Sequence, residues 1–291
     1  MSRSKEMIKV WLGTLLEVMV PSAVRELETD QRSGHFVGIK QRILYARTAR
    51  AKARGDTGAL QKSLFQFWRA DTADAYFDKY LDSYQKWFLG PHHYIVDQLA
   101  DLSRSGDYSR LIEIGCGAGR VLQHCADAMP QVTECIGVDI NPSVIARNQA
   151  KFAADTRLQF LSADASAWLV QNPRPGTILL TYGGVMEYFS AQTLSGMFTA
   201  MAQHGPAAVA LVEPFDPGHD LAQDAASHTF GPENSFSHNH QKLLEAAGYQ
   251  IAYRKTLNLD GTSWMMLLAR TLPVTSLFNL LAFQRSRITS Q

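Results

Sequence analysis

The sequence predicts an α/β fold, a doubly wound, mostly parallel sheet of seven strands behind an all-helical N-terminal segment, and three observations predict it. From Leu111 onward, short apolar runs alternate with helical stretches, the pattern of a parallel sheet covered on both faces. Residues 5 to about 104 show helical periodicity and almost no strand signal. The last two strand-like runs, "IAYRKTLNL" and "WMMLLARTL", meet across Asp260-Gly261, a hairpin signal that makes the closing pair antiparallel.

In the opening "MSRSKEMIKVWLGTLLEVMV", basic residues precede an apolar stretch that Lys9, Gly13 and Glu17 interrupt, and no small-residue cleavage site follows. It reads as a helix of the mature chain. Residues 1–60 carry 11 Lys and Arg against 6 Asp and Glu, and the surplus peaks in "QRILYARTARAKARGD". Only Tyr45 interleaves with those charges, so a solvated helix face is favoured over a nucleic-acid contact. In "TADAYFDKYLDSYQKWFLG", Tyr76, Phe77, Tyr80, Leu81, Tyr84, Trp87 and Phe88 recur at spacings of three and four, one stripe of a helix ended by Gly90-Pro91.

The strands are then "RLIEI", "ECIGVDI", "LQFLS", "TILLTY" and "AAVALVEPF", with helices near 121–129, 142–154, 165–171 and 191–204. A long irregular region runs from Glu213 to about His238, before the helix "NHQKLLEAAGYQ". The tail after Pro273 reads as a docked helix in preference to a membrane-surface or dimer contact. The expected organisation is therefore a helical segment 1–105, a sheet domain 106–271 and a tail 272–291.

With 291 residues, 46% hydrophobic and 19% charged, the chain has the balance of an ordered globular protein, and no apolar run reaches membrane-spanning length. Cys116, Cys125 and Cys135 are an odd number on expected core elements, which argues against a disulfide framework and for the cytoplasm.

The chemistry concentrates in "LIEIGCGAGRVL", residues 111–122. A glycine turn at the carboxyl end of the first parallel strand lets a ligand approach bare backbone, next to the N–H groups of the following helix. Gly115, Gly117 and Gly119 read G-x-G-x-G, not the dinucleotide G-x-G-x-x-G, and Glu113 stands two residues ahead, where it would repel a pyrophosphate but suit a cationic amine. Asp139 closes the second strand twenty residues after Gly119, placed to accept both ribose hydroxyls. Asn141-Pro142 caps the next helix, and Asp164 falls just past the third strand, within reach of an exocyclic amine. Adenosine plus an ammonium describes S-adenosylmethionine better than NAD.

On these motifs, residues 106 to 271 resemble a class I S-adenosylmethionine-dependent methyltransferase of the small-molecule type, with its Rossmann-like sheet and antiparallel last strand. "EIGCGAG" is similar to that family's first motif, and "GVDI" resembles its ribose-binding motif, with Asp139 carried over and Ile140 against adenine. "SADAS" is similar to the adenine motif, with Asp164 toward N6 and Ala165 offering backbone. "LLTYGGVMEYF" takes the fourth-strand position, which implies that the backbone of Thr181 and Tyr182 passes near the sulfonium.

The same resemblance implies methylation of a small organic acceptor, oxygen preferred over nitrogen, and "TYGG" where amino-methylating nucleic-acid enzymes carry an Asn-Pro-Pro-Tyr-like stretch disfavours base methylation. A protein or RNA methyltransferase and an inactive regulatory relative stay open as alternatives, as does a homodimer. The helical segment is expected to close as a lid, with Tyr76, Tyr80, Tyr84 and Glu187 lining the acceptor pocket. Glu213, Asp216 and His219 cluster within seven residues, but a Pro-broken loop is the simpler reading and no metal is expected. His238, expected to open its helix, either pairs with Glu213 as base and orienting carboxylate or caps its helix while Glu213 hydrogen-bonds the 214–238 loop, and His240 is a surface residue.

Overall fold

The computed structural model describes residues 3–74, 76 and 84–271; Tyr80 and the 272–291 tail lie outside the described residues. Strands β1 (Arg110–Ile114), β2 (Glu134–Asp139), β3 (Leu158–Ser162), β4 (Thr177–Tyr182) and β5 (Ala207–Phe215) run parallel. The full sheet adds β8 (Tyr249–Leu259) and β9 (Thr262–Thr271), in the order β3-β2-β1-β4-β5-β9-β8. β9 runs antiparallel to both neighbours. Asp260 and Gly261, at φ +50° and +77°, supply the two left-handed residues that a two-residue hairpin turn requires.

β1 is buried along its whole length because both faces of the sheet are covered. Leu111, Leu180, Ala210 and Val212 pack on one side with Phe88 and the helix Tyr94–Ser103; Ile112, Ile114, Leu179 and Leu211 pack on the other with the helix Ala191–Ala202. The chain winds outward from β1 in both directions, so a crevice opens beyond the carboxyl ends of β1, β2 and β4.

Four helices precede the sheet, α1 (Arg3–Met19), α2 (Pro21–Glu28), α3 (Val37–Arg54) and α4 (Thr57–Arg69). The Asp56 carboxylate caps α4 by accepting from the Ala59 amide. Three of the six basic residues of 40–54 pair with acids of this segment: Lys40 is fully buried, with Nζ 2.9 Å from Glu26 Oε2 and 2.5 Å from Asp71 Oδ1, and Arg47 and Arg50 converge on Glu17. α1 leaves Met7, Ile8, Trp11, Val18 and Met19 exposed, and no single described helix is long and apolar enough to cross a membrane.

α4 also reaches the sheet domain. Gln61 Oε1 accepts from the Ser190 amide (2.6 Å) and the Thr193 hydroxyl (2.9 Å), and Phe65 meets Phe189 edge-on at 5.0 Å. Leu60 and Leu64 pack on Phe236.

Two expectations are corrected. The 214–238 region is not wholly irregular, since β6 (His228–Phe230) and β7 (Ser235–Ser237) form a two-stranded ribbon; strands of three residues are too short to show periodicity. Of the aromatic stripe, the described residues Tyr76 and Tyr84 do not share a surface. Tyr76 contacts Phe67 and Trp68, whereas Tyr84 belongs to a π-helical turn, Tyr84–Phe88, and stacks on Phe88.

Replacing Lys40 by Met leaves Glu26 and Asp71 without their shared cation in a buried site. A loss of about 3–5 kcal/mol is expected in urea unfolding, the magnitude for breaking a buried ion pair by removing one partner. A loss below about 1 kcal/mol would show that water reaches the two carboxylates.

Candidate active site

The turn between β1 and the helix Arg120–Ala128 is built on glycine for two different reasons. Gly115, at φ +67°, has Val185 Cγ2 only 2.5 Å from where a Cβ would stand. Gly117, at φ +46°, faces open space instead, its nearest neighbour being the Gly115 carbonyl at 4.0 Å, and its N–H donates to Asp139 Oδ2 (3.0 Å). The second glycine therefore offers bare backbone with room beside it. Gly119 caps the helix that follows.

Asp139 is 7% exposed, and its other oxygen accepts from the Asn141 amide (2.9 Å). Burial raises its pKa, against the opposing amides of Asn141, Gly117 and Ile140. Glu113 is 2% exposed, and its Oε2 has no hydrogen-bond partner among the described residues. Burial pushes this carboxyl well above the usual range, the Leu122 amide opposes, and Asp139 adds to the rise. Two buried acids, both raised by burial, beside bare backbone fit a ligand carrying a cation and a diol.

Ile140 follows Asp139, half-buried. Asp164 Oδ1 caps the helix Ala165–Gln171, accepting from the Ser166 amide (2.9 Å) and hydroxyl (2.6 Å). Asp164 lines a cleft of about 340 Å³ with Leu27, Gln61, Phe65 and Arg69, so α2 and α4 stand over this end of the crevice. Asn141 joins the same wall by donating to the Trp68 carbonyl (3.3 Å).

Thr181 pairs in register with Ile114 at the end of β1, and its side chain is buried. The Tyr182 hydroxyl lies 3.2 Å from His92 Nδ1, and burial holds that imidazole neutral, with its pKa lowered to about 4. His92 follows Gly90-Pro91 in the sequence, and nothing local marks it as a partner for a strand ninety residues away.

Beyond β4 and β5 lies a second pair of carboxyls. Glu213 is fully buried, and its Oε2 accepts from the amides of Val185 (2.9 Å) and Met186 (3.0 Å). Burial lifts its pKa to about 8, opposed by the Thr181 side chain and both amides and reinforced by Glu187. Glu187 Oε2 accepts from the Ser235 hydroxyl of β7 at 2.5 Å. Burial raises it to about 7, with Ser235 opposing and Glu233 adding.

The structure does not bring His238 to Glu213. Its Nδ1 lies 2.7 Å from Ser227 Oγ and its Nε2 3.0 Å from the Phe189 carbonyl, so both ring nitrogens are engaged in a buried place, and burial lowers its pKa to about 4. The helix begins at His240, with Asn239 as its cap, and His240 is buried, not on the surface. Nor do Glu213, Asp216 and His219 form a cluster, since Glu213 is committed to the loop after β4; His219, Asp224 and His228 converge instead.

Residues 111–205 match the family model of a methyltransferase domain. Among solved structures, the fold is similar to magnesium protoporphyrin IX methyltransferase from Synechocystis PCC 6803 with bound SAM, at 17% identity and a TM-score of 0.51, over 73% of this chain and 97% of that one. The same enzyme with bound SAH gives 18% identity and a TM-score of 0.51, over 73% and 99%. The N-methyltransferase NodS from Bradyrhizobium japonicum WM9 matches at 14% identity and a TM-score of 0.45, over 62% and 96%. No curated protein sequence matches the chain. Residues 111–205 thus carry a methyltransferase domain, and the sheet order and the buried acids support the reading of the chain as a class I S-adenosylmethionine-dependent methyltransferase.

Proposed function

We propose that the chain methylates a small organic acceptor, at oxygen in preference to nitrogen, and that Glu187 receives the acceptor proton. The observation that carries this reading is the pair of a half-buried Glu187 and a buried Glu213 beyond the ends of β4 and β5, with Glu187 raised to about 7, where a carboxyl is matched to general base work near neutrality.

S-adenosylmethionine, when bound, supplies an electrophilic methyl group on a sulfonium. In this reading Glu113 holds the amino group, Asp139 the ribose hydroxyls, and Asp164 with the Ala165 backbone the adenine. Thr181 and Tyr182 line the path between that end and Glu187. Glu187 Oε1 would take the proton of a hydroxyl acceptor, while Ser235 keeps Oε2 in place. Residues 1–105 act as the lid, supported by the contacts of Gln61, Phe65 and Trp68 with the sheet domain. Closing that wall excludes water and fixes the acceptor, and orientation supplies much of the acceleration.

Three outcomes are expected. Asp139→Ala weakens S-adenosylhomocysteine binding by about 2–4 kcal/mol in calorimetry, as charge-assisted hydrogen bonds are lost together; unchanged affinity in a folded variant refutes the ribose assignment.

Glu187→Gln lowers turnover by roughly 10²–10⁴-fold with little change in cofactor affinity. A base must be deprotonated to act, so wild-type turnover rises with pH through about 7, the value to which burial brings Glu187. His238→Ala costs less than about tenfold, since that imidazole lacks a free nitrogen. A flat profile, or a larger loss at His238 than at Glu187, reverses the assignment.

Glu213 has its folded pKa raised from 4.5 to about 8, so the stability it contributes is complete below the lower value and is lost as pH rises through the higher. Glu213→Gln keeps the oxygen that accepts from Val185 and Met186 and removes the titration. The variant should gain on the wild type in urea unfolding between pH 5 and 8.5; a constant difference would show that Glu213 keeps an ordinary pKa.

A further inference from the structure

The segment joining β5 to β6 gathers side chains that methyl transfer does not use. One ligand atom from each of His219, Asp224 and His228 lies within 4.8 Å of the others. His219 is 5% exposed; its Nδ1 is 2.8 Å from Ser237 Oγ, while its Nε2 is buried with no partner among the described residues. His228 Nε2 is 3.1 Å from Asp216 Oδ2, and the two imidazole rings stand 4.6 Å apart. Asp224 is exposed, with Oδ1 accepting from the Ala226 amide (2.7 Å) and its second oxygen available.

We propose that His219, His228 and Asp224 form a binding site for one divalent ion of the zinc type. The hydrogen bonds already select the donor atoms. With its Nδ1–H donated to Ser237, His219 presents the Nε2 lone pair; with Nε2–H donated to Asp216, His228 presents Nδ1. A ligating histidine whose other nitrogen is held by a hydroxyl or a carboxylate is the usual second layer of such a site.

Two imidazoles and one carboxylate suit zinc, whereas magnesium and calcium take oxygen ligands. Donor atoms of a tetrahedral zinc site stand about 3.4 Å apart at bond lengths near 2.1 Å. From within 4.8 Å the required closure is small, and Asp224 is the exposed member. Water completes the fourth position.

The ion would tie the start of the insertion to β6 and, through the ribbon, support β7, whose Ser235 holds Glu187. It is a clamp on that wall and takes no part in bond making.

The test uses the full chain, stripped with a chelator and desalted, then titrated with zinc and, separately, with cobalt and magnesium. One zinc per chain, a rise in Tm with zinc and none with magnesium, and visible ligand-field bands from tetrahedral cobalt are expected. Asp224→Asn and His219→Gln should each abolish the cobalt bands. Asp216→Asn, which leaves all three ligands in place, should weaken zinc binding about 10–100-fold. If His219→Gln does not fold, Asp224→Asn decides, because an exposed side chain can be changed without disturbing the core. Failure of the wild type to take up zinc, or the same stoichiometry and affinity in Asp224→Asn, overturns the proposal. Neither outcome bears on the methyl acceptor, which the acceptor assays address separately.

Discussion

The Glu213 carboxyl is the contact on which the carboxyl edge of the sheet depends. It sits at the end of β5, fully buried, and accepts two consecutive amides from the loop that leaves β4. Those amides would otherwise be orphaned inside the protein, so one side chain satisfies two buried donors and fixes the path of residues 183–188. The path has consequences on both sides. It sets Val185 against the first glycine of the turn after β1, where no Cβ fits, and it brings Glu187 to Ser235 of the insertion. An ionised carboxylate in that place is costly, and burial answers by keeping Glu213 protonated up to about pH 8.

The N-terminal helices are held by a different means. Lys40 is buried between two acids, and Arg47 and Arg50 share Glu17, so charges that look like a solvated surface in the sequence serve as internal fastenings. α4 then carries this module to the sheet through Gln61, Phe65 and Trp68, all three of which touch residues 188–193, just after Glu187. The helical segment and the Glu213 contact thus act on the same stretch of chain from opposite sides.

What was legible in the sequence was local. The alternation of strands and helices, the Asp260-Gly261 turn and the spacing from Gly119 to Asp139 each depend on a few neighbouring residues, and each recurs in the fold as read. Cys116, Cys125 and Cys135 are all buried, as the reading of core elements expected. What was not legible depends on contacts far apart in the chain. His238 looked like an available base because Ser227 and Phe189, its two partners, lie 11 and 49 residues away. Tyr76 and Tyr84 shared a helical spacing, yet each found different neighbours. The acid at 213 suggested a partner for a histidine, whereas its partners are backbone amides, which no side-chain pattern announces.

The acids of the edge fall into two groups with different electrostatics. Glu113 and Asp139 belong to β1 and β2, and each is raised mainly by burial, with Asp139 also acting on Glu113. Glu187 and Glu213 belong to the β4 and β5 side, where Glu187 acts on Glu213 in the same sense. No cationic side chain figures among the causes for any of the four. Buried acids without an internal cation are relieved by keeping a proton or by a cation from outside. The first pair lies beside bare glycine backbone, where a positively charged cofactor fits; the second pair titrates near neutrality, where a proton can be taken up and returned. Between them stands Thr181, in register with the last residue of β1 and beside the Glu213 carboxyl. The reversal of strand order at β1 and β4 is what separates the two groups, so the topology that creates the crevice also gives its two ends different chemistry.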